Sequence, residues 1–154
     1  MADETGIRGA VAAITELLDE AECLRLIAAG GVGRIGYTGR FGPTILPVNF
    51  ALQDQAIVFR TGQDSPMGED LRTGIADAEY KVAFEVDEII PATREGWSIL
   101  IQGSAHHVDS GPELAEARQS GVQAWAGGEK DLFIRIVPDR ITGRRVRRAD
   151  PPAG

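Results

Sequence analysis

A single cysteine, Cys23, leaves this 154-residue chain without a disulfide to staple it. Histidine is scarce too. His106 and His107 stand side by side, and with Cys23 they form no zinc-ligand spacing, so no metal site is expected. No apolar run approaches the roughly 18 residues that cross a bilayer, which excludes a membrane-spanning helix. The first residues, Met1-Ala2-Asp3-Glu4, are acidic and lack the pattern of a secretory signal. One free thiol and no such signal point to the cytoplasm. Positive charge is in short supply: sixteen basic residues against twenty-three acidic ones give −7, which repels a phosphate backbone and argues against nucleic acid. Lysine is nearly missing, two against fourteen arginines, a bias that suits planar bidentate contacts. The local exception to the acidic balance is Arg140, Arg144, Arg145, Arg147 and Arg148, with no acid among them. Such a run is either a solvated tail or interface rim, or a strand end that faces an anion.

What is present is an ordinary globular composition, 43% apolar and 25% charged. A chain of this length buries roughly 70% of the surface its unfolded form exposes, so one domain with its own core is expected. We place that domain at 14–148, after a loose N-terminus over 1–13 and before a flexible tail over 149–154. From Ile14 to Ala29 the apolar spacing is helical, with Thr15 or Asp19 as the cap, a helix near 19–29 and Gly30-Gly31 at its end. Beyond it the period becomes two. Strands are expected over 33–37, 44–52 and 56–61, with turns at 38–43 and 53–55. In the second of these, Leu46, Val48, Phe50 and Leu52 share one face, and Ile45, Pro47 and Asn49 the other. Pro47 has no N–H to give a ladder, so that side reads as an edge or a bulge. Ser65 caps a short helix with Pro66 in its first position. Strands over 80–90 and 97–108 follow, with Gly103 at a bulge. A short helix after Asp109 or Ser110 leads to a loop carrying Trp125. A strand over 132–137 then turns at Pro138-Asp139 into 140–146. The sum is a mainly β chain: six or seven antiparallel strands, two or three short helices, and a closed or partly closed barrel.

Nucleophilic hydrolysis finds no support, because there is no GxSxG elbow and Ser98, Ser104 and the histidines form no triad. Glu85 and Asp87 lie on one strand face about 7 Å apart; with Glu88 they read as a solvated acidic face. Cys23 reads as a small buried hydrophobe. Asn49, Arg60, Thr61 and Ser65 stand out. They gather around one hairpin and the helix after it, and a guanidinium with hydroxyls and a helix start is the donor set that phosphate takes.

LPVNF, then FRT with a serine four residues on, then VAFEVDEI, REGWSILIQG and RIVPDRITGRRV occur in that order. Over roughly Leu24 to Val146 this resembles the pyridoxamine 5′-phosphate oxidase-like family of FMN-binding split β-barrels, near its small actinobacterial and nitroimidazole-resistance members. The resemblance implies a homodimer with the flavin at the interface and an oxidoreductase acting on a small molecule. It places the backbone of Ile45, Leu46, Pro47, Val48, Asn49 and Phe50 beside the isoalloxazine ring. Arg60 and Thr61 fall at the ribityl-phosphate, and Ser65 in the phosphate loop. Trp97 and Ser98 lie near the ring, and Arg144 and Arg145 on a basic strand that approaches from the partner subunit.

Family members usually carry lysine or arginine directly after that serine, where this chain has Pro66 and Met67. Losing such contacts costs a few kcal/mol of phosphate binding. Three alternatives follow. Arg60 or the basic tail compensates for FMN; a deazaflavin cofactor with a polyanionic tail is met by the C-terminal arginines; or a non-catalytic barrel holds a small ligand, haem included, through His106 or His107.

Overall fold

A computed structural model describes residues 12–62, 65–71, 80–125, 127–128 and 130–149. Its strands are β1 (Ala13–Leu18), β2 (Gly31–Gly39), β3 (Gly42–Gln53), β4 (Ala56–Thr61), β5 (Tyr80–Ile90), β6 (Glu95–Val108) and β7 (Leu132–Arg148). Three short helices are interposed: α1 (Glu20–Ile27), α2 (Pro66–Asp70) and α3 (Gly111–Gln119). Every pairing is antiparallel, in the order β1-β7-β4-β3-β2-β5-β6, and β6 pairs back onto β7 to close the ring. The ring is thinnest at two places. β2 meets β5 through three residue pairs and β3 meets β4 through four, so the barrel is split.

Inside it, Ile35, Ile57, Phe59, Phe84, Ile99, Ile101, Ile134 and Ile136 are all fully buried. They come from alternate strand positions, the period of two that a half-buried sheet requires. Asp54 and Gln55 both take left-handed φ, 51° and 64°, and make the two-residue turn that joins β3 to β4. Cys23 is fully buried on α1, as the sequence suggests, and its thiol is pushed up chiefly by burial.

Two expectations are corrected. Residues 13–18 form β1, not the start of a helix, so Thr15 is no cap. Their register with 143–148 of β7 offers six residue pairs, and Glu16 reaches diagonally to Arg147 in an ion pair. The helix begins after Asp19, whose Oδ1 accepts the Glu22 N–H at 2.8 Å. Pro138-Asp139 is no turn either. β7 runs through it, with the slip in register against β6 taken up at Gln102/Gly103, the bulge expected there. Gly103 allows this because a Cβ would collide with the Val137 carbonyl oxygen. Of the stretches expected to be loose, only Ala12, Ala13 and Ala149 lie within the described residues; Ala13 opens β1 and the Ala149 N–H donates to the Ala12 carbonyl at 2.9 Å.

Candidate functional site

The β3–β4 ladder covers only Phe50 to Gln53. Upstream of it, residues 45–49 keep β2 on one side, and among the described residues no strand pairs with them on the other. Alternate residues of that stretch therefore turn main-chain N–H and C=O groups to an open side, as the proline at 47 led us to expect. Ile45 is 72% exposed there, while Phe50 is buried where the strand rejoins β4.

At the point where β3 leaves β4, the loop from α3 to β7 is held at two places. The Asn49 Oδ1 accepts the Trp125 N–H at 2.9 Å, and the Arg60 Nε donates to the Lys130 carbonyl at 2.7 Å. The Arg60 guanidinium also lies over the Phe133 ring, 5.2 Å from its centroid. Trp125 itself is 76% exposed. An exposed tryptophan is thus tied through its main chain to Asn49, at the end of the open strand edge. The sequence reading passed over Trp125 as loop. The available signal was a tryptophan in a glycine-rich segment with no core periodicity around it. Asn49→Ala is expected to cost about 1 kcal/mol and to remove hydrogen-exchange protection at the Trp125 amide, with the Phe59 amide still protected. Amide exchange by NMR checks this.

Thr61 lies on the other face of β4 and is buried. The Ser65 hydroxyl donates to the Gly62 carbonyl at 2.8 Å and accepts the Gly68 N–H at 3.0 Å, which leaves Thr61 as the donor in their 2.8 Å contact. Ser65 therefore caps α2, as its sequence position suggests, and the Thr61 hydroxyl is spent on Ser65. Pro66 is exposed at the start of α2, and Met67 is packed into the core.

Trp97 and Ser98 come directly opposite Arg145 and Arg144 on β7. The two faces separate them. Ser98 and Arg144 share the outer side, with Arg144 exposed, whereas Trp97 packs on the core and Arg145 reaches the Glu22 carboxylate at 3.2 Å. Arg25, and then Arg145, hold that carboxylate down to about 2. Arg144 lies twelve residues beyond Leu132, the partner of Thr61, or roughly 40 Å of strand. One chain keeps the Arg60 group and the Arg144 group at opposite ends of β7.

On the outer face Arg34 joins Glu85 and Asp87, at 3.5 and 3.4 Å from one guanidinium nitrogen, so these acids do not merely face solvent. Burial, followed by a hydrogen bond to Asp87 and its charge, raises the Glu85 carboxyl to about 7, with Arg34 opposing. His106 turns its Nε2 to the Glu113 carboxylate at 2.5 Å, so that nitrogen is engaged with α3 and not presented to a haem. Among the described residues no group of three metal-binding side chains forms, and no helix is long and apolar enough to cross a membrane.

The profile of the pyridoxamine 5′-phosphate oxidase family matches residues 19–145. An uncharacterized protein of Mycobacterium tuberculosis is 34% identical over 129 residues, 84% of each chain. Among solved structures, the FAD-binding protein of Mycobacterium smegmatis is 29% identical with a TM-score of 0.69, over 84% of this chain and 98% of that one. A proposed pyridoxamine 5′-phosphate oxidase of Corynebacterium glutamicum is 27% identical with a TM-score of 0.72, over 89% and 96%. A proposed nitroimidazole-resistance protein of Bacteroides thetaiotaomicron, 15% identical with a TM-score of 0.63 over 88% and 89%, shares the fold. Split barrel, open β3 edge and matching profile agree: the chain belongs to the pyridoxamine 5′-phosphate oxidase family.

Proposed function

We propose that this protein is a homodimeric flavin-dependent oxidoreductase that binds FMN and acts on a small electrophile such as a quinone or a nitro compound. The observation that carries the reading is the unpaired main chain of residues 45–49, bordered by Trp125 and Arg60. A planar heteroaromatic ring with alternating donors and acceptors is the ligand such an edge suits, because it completes hydrogen bonds that the fold leaves open. The M. smegmatis relative, a FAD-binding protein, lends support.

In this reading the β3 edge fixes the ring, Trp125 walls one side, and the outer guanidinium nitrogens of Arg60 hold phosphate. Arg60 thereby supplies the cation that Pro66 and Met67 do not. Bound flavin supplies hydride and electron transfer; the protein orients it and excludes water. In this reading a second copy brings Arg144 and Ser98 to the ring, since β7 carries Arg144 far along the strand from the Arg60 group.

The absorption spectrum of the purified protein tests the proposal, with titrations by FMN, FAD and a deazaflavin cofactor. A flavin spectrum and preference for FMN are expected. Preference for the deazaflavin transfers the assignment to that cofactor. Protein that carries no flavin and takes up none overturns it.

A further inference from the structure

A Cβ at Gly33, Gly39, Gly96, Gly103 or Gly143 would come within 3.0 Å of another part of the chain, so the fold itself requires these strand glycines. Gly36, in the middle of β2, is different. A Cβ there would meet Ala83 and Ile45 at 3.8 to 4.0 Å, which is ordinary contact, and its φ asks for no glycine. Glycine in a strand interior weakens the strand. Where neither φ nor crowding within the chain calls for it, it marks a place where another molecule comes close to the backbone.

The space that Gly36 leaves belongs to an open groove of about 500 Å³. Register places Ile45, Gly36, Ala83 and Gln102 in one row across β3, β2, β5 and β6, and paired residues turn their side chains to the same face. Ile35, Val82 and Phe84 are buried in the core, so this row looks outward. Gly36 and Ala83 make a floor that rises little above the peptide planes, and Ile45 and Gln102 stand as walls about 14 Å apart. The β2–β5 ladder ends at the Gly36–Ala83 pair, and the strands part beyond it. The Tyr80 hydroxyl donates to the Thr38 carbonyl at 2.5 Å and ties the two strands across that gap. Lys81 and Asp139, the charged side chains of the lining, neutralise each other at 2.7 Å.

We propose that this groove seats the small electrophile of the proposed function, and that its occupant is a neutral, planar compound of one or two rings with a carbonyl or nitro oxygen. The floor is flat and apolar, which suits the face of a ring. The lining carries no net charge, so an ion entering it would lose water without gaining a partner. Gln102 brings an amide to one wall, a donor for a carbonyl or nitro oxygen. The groove also adjoins the open edge, because Ile45 begins the unpaired stretch of β3 and stands opposite Gly36 in the ladder. A ring seated here lies beside the place given to the flavin. The inference rests on that reading and adds the surface, the residues that size it and the class of compound it takes.

Amide chemical shifts of the full-length protein test it, with 4-nitrobenzamide as a neutral probe and 4-nitrobenzoate as its anionic counterpart. The neutral probe is expected to shift the Gly36, Ala83 and Gln102 amides together, and the anion to bind about tenfold more weakly or worse. Gly36→Val sets a branched side chain on the floor. It is expected to weaken 4-nitrobenzamide by about tenfold to a hundredfold. Its urea midpoint stays at or above that of wild type, since valine suits an uncrowded strand position better than glycine. Ala83→Leu fills the other half of the floor and is expected to weaken the probe likewise.

Shifts that gather elsewhere, or Gly36→Val protein that binds the neutral probe like wild type, overturn the proposal. Equal affinity for the two probes overturns the neutral class. If Gly36→Val dissociates in sedimentation velocity and the probe moves no groove amide in wild type, the floor belongs to a second copy of the chain, which overturns it too. Probe bound here by protein that takes up no flavin upholds the groove and removes the cofactor reading. FMN uptake with these amides unmoved by the probe does the reverse.

Discussion

Phe84→Ala is expected to lose about 3–5 kcal/mol of stability, a large share of the 5–15 kcal/mol that holds a domain of this size together. Phe84 is fully buried, and its ring meets that of Phe50 edge-on, centroids 5.3 Å apart at 74°. Gly33 makes the room: a Cβ there would collide with the edge of the Phe84 ring. Gly33→Ala alone is therefore expected to destabilise by overpacking, about 1–3 kcal/mol. In the Phe84→Ala background the same methyl enters the void and regains part of the loss. Urea unfolding of the two single variants and the double variant measures this coupling. Additive losses would show that the glycine and the ring do not compete for one space. Phe50 ends the open stretch of β3, so loosening this contact also loosens the strand that bears the candidate site.

Much of this was legible because alternation carries through a strand buried on one face. Val82, Phe84 and Val86 alternate with outward side chains, and β5 and β4 have the bounds that their apolar period and turn residues indicate. β1 was not legible. Leu17 and Leu18 suit a helix locally, and only the edge of β7, far along the chain, makes a strand of them. Pro138 hid the second half of β7, since a proline after an apolar run reads as a stop unless a glycine opposite it takes up the bulge. At the site, Pro47 announced the open edge, because a missing N–H is a local property. Side-chain destinations were not local. The Ser65 cap is the exception, a local Ser-Pro signal; the Asn49–Trp125 contact is not written in spacing, since the fold brings together residues far apart in the chain. Arg34 beside Glu85 and Asp87 was hidden likewise, across two strands that share three residue pairs.

Arg60→Ala is expected to weaken FMN binding by about tenfold to a hundredfold, the equivalent of a charge-assisted hydrogen bond worth about 1.5–3 kcal/mol. Arg60 has two tasks that this variant removes together. Its Nε holds the Lys130 carbonyl and so the loop of Trp125, and in the proposed function its remaining nitrogens hold the phosphate. Riboflavin separates them, since it keeps the ring and lacks the phosphate. If Arg60 acts on phosphate, its loss weakens FMN and leaves riboflavin affinity nearly unchanged. If it acts only through the loop, both ligands lose equally. Arg60→Lys keeps the charge without the planar fork, so it is expected to retain part of the preference for FMN over riboflavin. Isothermal titration of the three proteins with both ligands measures these differences. Equal FMN affinity in wild type and Arg60→Ala would take the phosphate away from this end of β4 and leave the missing cation after Ser65 without a substitute there.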